Sequence, residues 1–379
     1  MNKIIGLALL LLTLLACNRM IQAKALAEPI QVDLFTEGEH GVFNYRIPAL
    51  TVTPKGTLLA VCDARVDRRG DLPNNIDLIM RRSTDNGQSW SKPAIILDYQ
   101  SPQGGGDPCL LTDRETGRVW LFFVYSSGQI GINQSRPGFD PDSTQQLMNI
   151  YSDDEGLSWS EPSNMTQMLK DSSWAGVFFA SGHGLQTQDG TLMLTLMVRE
   201  KFGTNKEDHA YIAFSRDHGQ SWQVSGPSGK WVGESKIVEL ENENIMINMR
   251  SKHGLGSRAV SISKDKGRNW SPLYHDTTLV EPACNASIIS ADLGQKNYLL
   301  FSNPAHSEKR QKMAVRYSAD QGQSWSNPAV IYPGPAAYSS MCLLPDGSIG
   351  LLYERGEERA DEKITFARFS KEWLLNTAK

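Results

Sequence analysis

Three arginines stand inside runs that otherwise read as apolar strands, and such placement marks where chemistry is to be expected. Arg46 lies in Tyr45-Arg46-Ile47-Pro48, Arg250 ends Ile245-Met246-Ile247-Asn248-Met249, and Arg316 sits within Met313-Ala314-Val315-Arg316-Tyr317. An arginine in such a setting is costly to bury unless a carboxylate or a bound anion meets it. For any one of them a structural ion pair is the ordinary explanation. Three in comparable settings, far apart in the chain, suit a shared anion site as well. A guanidinium fork fits a carboxylate and keeps its charge at any working pH.

The elements that must hold these arginines are signalled by a repeat. Ser83-Thr84-Asp85-Asn86-Gly87-Gln88-Ser89-Trp90 recurs in the pattern Ser-x-Asp-x-Gly-x-(Ser/Asn)-Trp at 152–159, 215–222, 263–270 and 318–325, its aspartates 48 to 69 residues apart. A fixed period of this size marks a repeat architecture. The Asp carboxylate can accept backbone N–H bonds in a tight turn, the Gly supplies a positive φ, and the Trp anchors the turn on the core. Each copy reads as a self-contained hairpin staple. Short apolar runs precede the boxes, and Lys55-Gly56, Asp189-Gly190 and Asp346-Gly347 turns lead into others, a strand-rich pattern. The expected fold is an all-β, six-bladed β-propeller of about 58 residues per blade, one blade lacking the box or being shared by both termini. Residues 28–379 read as a single domain, with only the tail around Lys371-Glu372-Trp373-Leu374-Leu375 helical.

The first 27 residues read as an export segment. Lys3 precedes the apolar stretch from Ile4 to Leu15, which is too short to span a bilayer. Leu14-Leu15-Ala16-Cys17 is similar to a bacterial lipobox, so lipidation at Cys17 is expected. Cleavage after Ala25-Leu26-Ala27 and secretion is the alternative. The domain is expected to work in the periplasm or at the cell surface, touching a membrane only through that anchor. A formal net charge of −4 shows no basic bias towards nucleic acid. Cys62, Cys109, Cys284 and Cys342 abut apolar residues and read as buried thiols rather than disulfides or metal ligands. No metal or cofactor is expected.

Five boxes together with Tyr45-Arg46-Ile47-Pro48 make the chain after its export segment resemble the bacterial exo-α-sialidases (neuraminidases) of glycoside hydrolase family 33. The resemblance implies that Arg46, Arg250 and Arg316 clamp the carboxylate of sialic acid, with Glu354 bracing Arg46. Arg310 is placed behind Arg316 because Glu308-Lys309-Arg310 is a charged, loop-like stretch. It further implies Tyr338 as nucleophile, Glu234 as the base that takes its proton, and Asp71 as acid/base, with Asp67 as a nearby competitor. Arg65 and Asp107 would meet the 4-hydroxyl and amide side of the sugar, and Gln186 would be a further binding residue. Trp174, Phe178 and Phe179 are candidates for an apolar pocket around the N-acetyl methyl. The chemistry explains the tyrosine: the anomeric carbon already carries a carboxylate, which would repel an attacking Asp or Glu but not a neutral phenol.

The expected activity is removal of terminal α-linked sialic acids from glycoproteins, glycolipids and oligosaccharides, with retention through a tyrosyl-enzyme. Alternatives are transfer to another glycan, release of a 2,7-anhydro sugar by internal attack, or a non-catalytic sialoglycan-binding propeller.

Overall fold

Short runs rich in β-branched and aromatic residues, bounded by turns, fold as antiparallel strands because their side chains pack well on a pleated, half-buried surface. The computed structural model describes residues 28–203, 207–294 and 296–379. The expected export segment, with Cys17 and the Ala25-Leu26-Ala27 cleavage alternative, lies outside these. The fold is an all-β propeller whose strands form five sheets. No helix among the described residues is long and apolar enough to cross a membrane.

The first sheet runs outward through Asn44–Val52, Leu58–Arg65, Ile76–Ser83 and Ala94–Leu97. The others step outward in the same way from central strands Gly104–Thr112, Gly176–Phe179 and Val232–Glu239. The last sheet has seven strands and two central members, Ser287–Asp292 and the second half of Ala329–Leu343. Central strands touch in succession around a ring, the third sheet joining the fourth through Leu192–Arg199, and Ala329–Leu343 closes the ring on Asn44–Val52.

The first and last described strands meet in the last sheet. Ile30–Thr36 pairs antiparallel with Lys363–Phe369, so the first described strand covers the edge the last one would expose. Of the two alternatives for the unit without a box, this pairing fits the one in which both ends of the described chain contribute. The tail forms the helix Lys371–Thr377, whose first turn is capped by Ser370 Oγ accepting the Trp373 N–H at 3.1 Å.

The boxes have the expected internal geometry. In the first, Asp85 accepts the Ser89 N–H at 2.9 Å and the Ser89 hydroxyl at 2.5 Å, and Ser83 Oγ accepts the Gly87 N–H at 2.9 Å. These bonds, from the Ser89 hydroxyl first, hold the Asp85 carboxyl down at about 2. The boxes are not self-contained, however. An added Cβ on Gly87 would lie 2.2 Å from Phe366, one on Gly156 3.0 Å from Leu59, one on Gly219 2.7 Å from Trp120, and one on Gly322 2.5 Å from Met246. Each of these neighbours belongs to the preceding part of the ring. In these four boxes the glycine therefore serves a joint between units as well as a turn, while Gly267 of the remaining box has no such close neighbour, and a φ of 79° at Gly87 adds a second reason for glycine. The four described cysteines are buried free thiols.

Candidate active site

Four central strands break register, three near their N-terminal ends and Ala329–Leu343 where its second half begins. The slips fall between Arg46 and Ala49, Gly106 and Cys109, Val232 and Ser235, and Ala336 and Ser339. Inside them lie Ile47-Pro48, Asp107-Pro108, Gly233-Glu234 and Ala337-Tyr338. A bulge breaks the strict alternation of side chains and re-aims one of them. Ile47 and Asp107 adopt left-handed backbones, φ 62° and 58°, which cost a non-glycine residue about 1–2 kcal/mol. The bulges bring Arg46, Asp107, Glu234 and Tyr338 to one cavity of about 400 Å³, which Asp71, Arg250 and Arg310 also line.

Tyr338 is the centre of this cavity. Its hydroxyl accepts a bond from Arg250 Nη1 at 3.1 Å, and the same nitrogen bonds the Glu234 carboxylate at 2.5 Å, so one guanidinium joins the two groups. The guanidinium groups of Arg46 and Arg310 lie 5.1 and 5.5 Å from the centre of its ring. Burial pushes the phenol well above its ordinary value, with the Glu234 charge adding to it and Arg250, Arg310 and Arg46 opposing. Burial would also raise Glu234. The Arg250 charge, the Tyr338 hydrogen bond, the 2.5 Å bond from Arg250 and the Arg310 charge together bring it down to about 2. The resting pair is thus a neutral phenol beside an ionised carboxylate.

Glu354 is fully buried and organises the same floor. It accepts two bonds from Arg46, at 2.9 and 3.0 Å, and the N–H groups of Ile47 and Tyr338 at 2.8 and 3.0 Å. One carboxylate therefore pins two of the bulges and one arginine, meeting the demand that a buried charge be paired and fully hydrogen-bonded.

An acidic group adjoins the same cavity, which Asp71 and Asp107 line. Asp71 is 80 % exposed and paired with Arg65 at 2.7 Å, in the loop after Leu58–Arg65. Arg65 also donates to Asp63 at 3.1 and 3.3 Å and to the Arg69 carbonyl at 2.8 Å. Asp63 accepts the Asp107 N–H at 3.0 Å. Burial, only partly offset by Arg65, lifts Asp63 to about 6. Burial and then the charges of Asp63, Asp71 and Glu234 raise Asp107 well above its ordinary value. Asp67 stands apart, accepting from Asn75 Nδ2 at 3.3 Å.

Two expected site residues are elsewhere. Arg316 bonds the Ser326 carbonyl at 2.7 Å and does not line the cavity; the third arginine close to Tyr338, after Arg46 and Arg250, is Arg310, steadied by the Ala283 carbonyl at 3.1 Å. Arg316 is held out of reach because it sits only two residues before the box serine Ser318, toward the far end of its strand. Gln186 is likewise at the wrong end: its Oε1 accepts the Arg114 N–H at 2.7 Å and its Nε2 donates to Asp113 at 2.9 Å. It lines a different cavity, between the opposite ends of the central strands. Of the aromatic candidates, Phe178 lines the active cavity with Ile132 and Met197, whereas Trp174 packs on Tyr211 and Phe179 on Phe122.

Asp63 and the cluster Arg199, Asp208 and Lys252 were not singled out by sequence. Asp63 carries one usable signal: it is two residues from Arg65 on one strand, hence on the same face. No group of His, Cys, Asp or Glu among the described residues is arranged to hold a metal ion.

A BNR repeat-like domain model matches residues 48–351. The chain is 38% identical over 367 residues to a sialidase of Micromonospora viridifaciens, covering 92% of this chain and 55% of that protein. It is 34% identical over 338 residues to a sialidase of Bacteroides fragilis, covering 84% of this chain and 61% of that protein. The chain thus spans little more than half the length of these curated relatives. The solved structure of a Hadza microbial sialidase is similar with a TM-score of 0.84 and 32% identity, over 91% of this chain and 69% of that one.

Proposed function

We propose, for a chain that belongs to the sialidase family of BNR-repeat proteins, that it hydrolyses terminal α-linked sialic acids with retention of configuration. The observation that carries this reading is the Tyr338 hydroxyl held between Glu234 and Arg250, beneath Arg46 and Arg310. Three guanidinium groups converging on one tyrosine suit a substrate whose reacting carbon bears a carboxylate.

The proposed steps follow from that geometry. The carboxylate lies against Arg46, Arg250 and Arg310. Its negative charge offsets part of the field that holds Glu234 down, so the base gains proton affinity when substrate is bound. Tyr338 Oη attacks C2 while its proton passes to Glu234. The bond from C2 to the glycosidic oxygen breaks, and Asp71, acting as general acid, passes that oxygen a proton. Asp71 then takes a proton from water, whose oxygen attacks C2. The bond from C2 to Tyr338 breaks, and Glu234 returns the proton to the phenolate. Two inversions give net retention. Arg65, close to Asp71 and Asp63, positions the acid/base side, and Asp107 is placed to meet the sugar.

We read the propeller as six-bladed and residues 28–379 as one domain. In support, residues 329–335 of the long strand pair with Gln311–Ser318, and residues 336–343 pair with Ile349–Arg355. Its seven-stranded sheet then divides into two four-stranded units sharing one strand. Export and a lipid anchor at Cys17 would place the site outside the cytoplasm, facing sialylated glycans.

The test is the product formed from α2,3-sialyllactose, followed by proton NMR in deuterated buffer with the purified protein. Early α-sialic acid that later mutarotates to β is expected. A 2,7-anhydro product would replace hydrolysis by internal transfer at the same site. Binding without turnover of this or an α2,6-linked substrate would contradict the enzyme reading.

A further inference from the structure

Three charged residues of the cavity wall have no part in the steps above. Arg199 and Asp208 face one another across paired strands, with bonds of 2.7 and 3.0 Å. Lys252, from the neighbouring sheet, also bonds Asp208. All three line the cavity. Asp208 and Arg199 are buried and mutually satisfied, and Arg199 Nη1 donates further to the Ile132 carbonyl at 3.2 Å and Asn133 Oδ1 at 3.0 Å. Lys252 is different: its side chain is 27 % exposed, and an ammonium carries three donors. A bidentate pair is enough to cross-link its own two strands, so a second cation reaching in from another sheet calls for a further role.

The order of the wall residues around the ring suggests that role. Starting from Arg46 and Asp71 in the first sheet, the wall passes Asp107, then apolar Ile132, Phe178 and Met197, and then Arg199, Asp208 and Lys252 before reaching Arg250. The substituents of a sialic acid ring follow one another as the C2 carboxylate, C4 hydroxyl, C5 amide and C6 polyol tail. With the carboxylate on the three arginines and the 4-hydroxyl beside Asp107, the amide methyl falls on the apolar arc. The three-carbon tail, with its hydroxyls at C7, C8 and C9, then falls on the charged one.

We propose that Lys252, held by the Asp208–Arg199 pair, is a specificity-determining residue that binds the hydroxyls of the C7–C9 tail. This assignment rests on the sialidase reading of the same cavity. The paired Asp208 fixes the ammonium in place, so that its remaining donors make charge-assisted bonds to hydroxyl oxygens. A site built on such bonds discriminates against a substrate lacking the hydroxyls, because its polar groups are then left unpaired.

The experiment compares kcat/KM for an aryl α-sialoside and for the same compound shortened to C7 by mild periodate cleavage and borohydride reduction. The wild-type protein is expected to prefer the full tail by about 10-fold or more. In Lys252→Met that preference should collapse to about 2-fold, while Lys252→Arg, which keeps the charge and donors, should retain most of it. Thermal unfolding verifies that the variants are folded. A wild-type preference near unity, or one that survives intact in Lys252→Met, overturns the assignment while leaving the sialidase reading in place. Turnover of neither sialoside contradicts the sialidase reading, and this assignment with it.

Discussion

Replacing Tyr338 by phenylalanine is expected to lower kcat by about 1,000-fold or more, since removing a covalent nucleophile forfeits the path that divides one hard step into two easier ones. Affinity for sialic acid should change no more than a few-fold. Phenylalanine keeps the ring that lies beside Arg46 and Arg310, and it leaves the arginines that would receive the carboxylate in place. Losing the hydroxyl also removes the hydrogen bond that helps to lower Glu234, but the Arg250 charge that does most to lower it remains. Steady-state kinetics on an aryl sialoside and calorimetric titration with sialic acid separate the two effects. Wild-type kcat in the variant would remove Tyr338 from the mechanism.

Exchanging Arg310 for leucine is expected to cost about 100-fold in kcat/KM, whereas Arg316→Leu should stay within about 3-fold. Truncating one partner of a buried, charge-assisted contact costs about 2–5 kcal/mol, and each 1.4 kcal/mol is tenfold. Arg310 lines the cavity beside Tyr338, while Arg316 is bonded to the Ser326 carbonyl outside it. The two arginines are six residues apart in sequence, so measuring kcat/KM for both variants decides which one meets the substrate. A larger loss in Arg316→Leu would reinstate the assignment made from strand context.

That contrast shows what the sequence could and could not disclose. The boxes announced the repeat, and the strands before them formed where expected, because both depend on local chemistry. The polarity of each unit was also there to be read. Boxes and the Asp-Gly or Lys-Gly turns lie at one end of the strands, and the site lies at the other. Arg316 is two residues before a box, and Gln186 is three before Asp189 of such a turn. Arg316 was therefore misplaced by strand context that ignored direction, and Gln186 by a resemblance read without it; Arg310, eight residues before Ser318, was the better placed candidate.

Other features were not legible in this way. The bulges at Ile47, Asp107, Glu234 and Tyr338 arise from register between strands, which a single run of residues does not encode. The joint made by Gly87 against Phe366 depends on how the ring closes on itself. The Arg199–Asp208–Lys252 cluster joins two sheets through side chains that, read singly, resemble ordinary solvated charges. Asp71, Glu234 and Tyr338 were reached only through family resemblance; the structure brings all three to one cavity with Arg46 and Arg250.

The most direct test of the central claim is to trap the covalent intermediate. A sialosyl fluoride bearing a second fluorine at C3 slows the departure of the sugar from the enzyme, because fluorine disfavours positive charge at C2. After incubation, intact-mass and peptide-mapping mass spectrometry should find one fluorosialosyl group per chain, attached to Tyr338 and absent from Tyr338→Phe. No adduct in an enzyme that turns over sialosides, or an adduct on another residue, would contradict the tyrosyl mechanism.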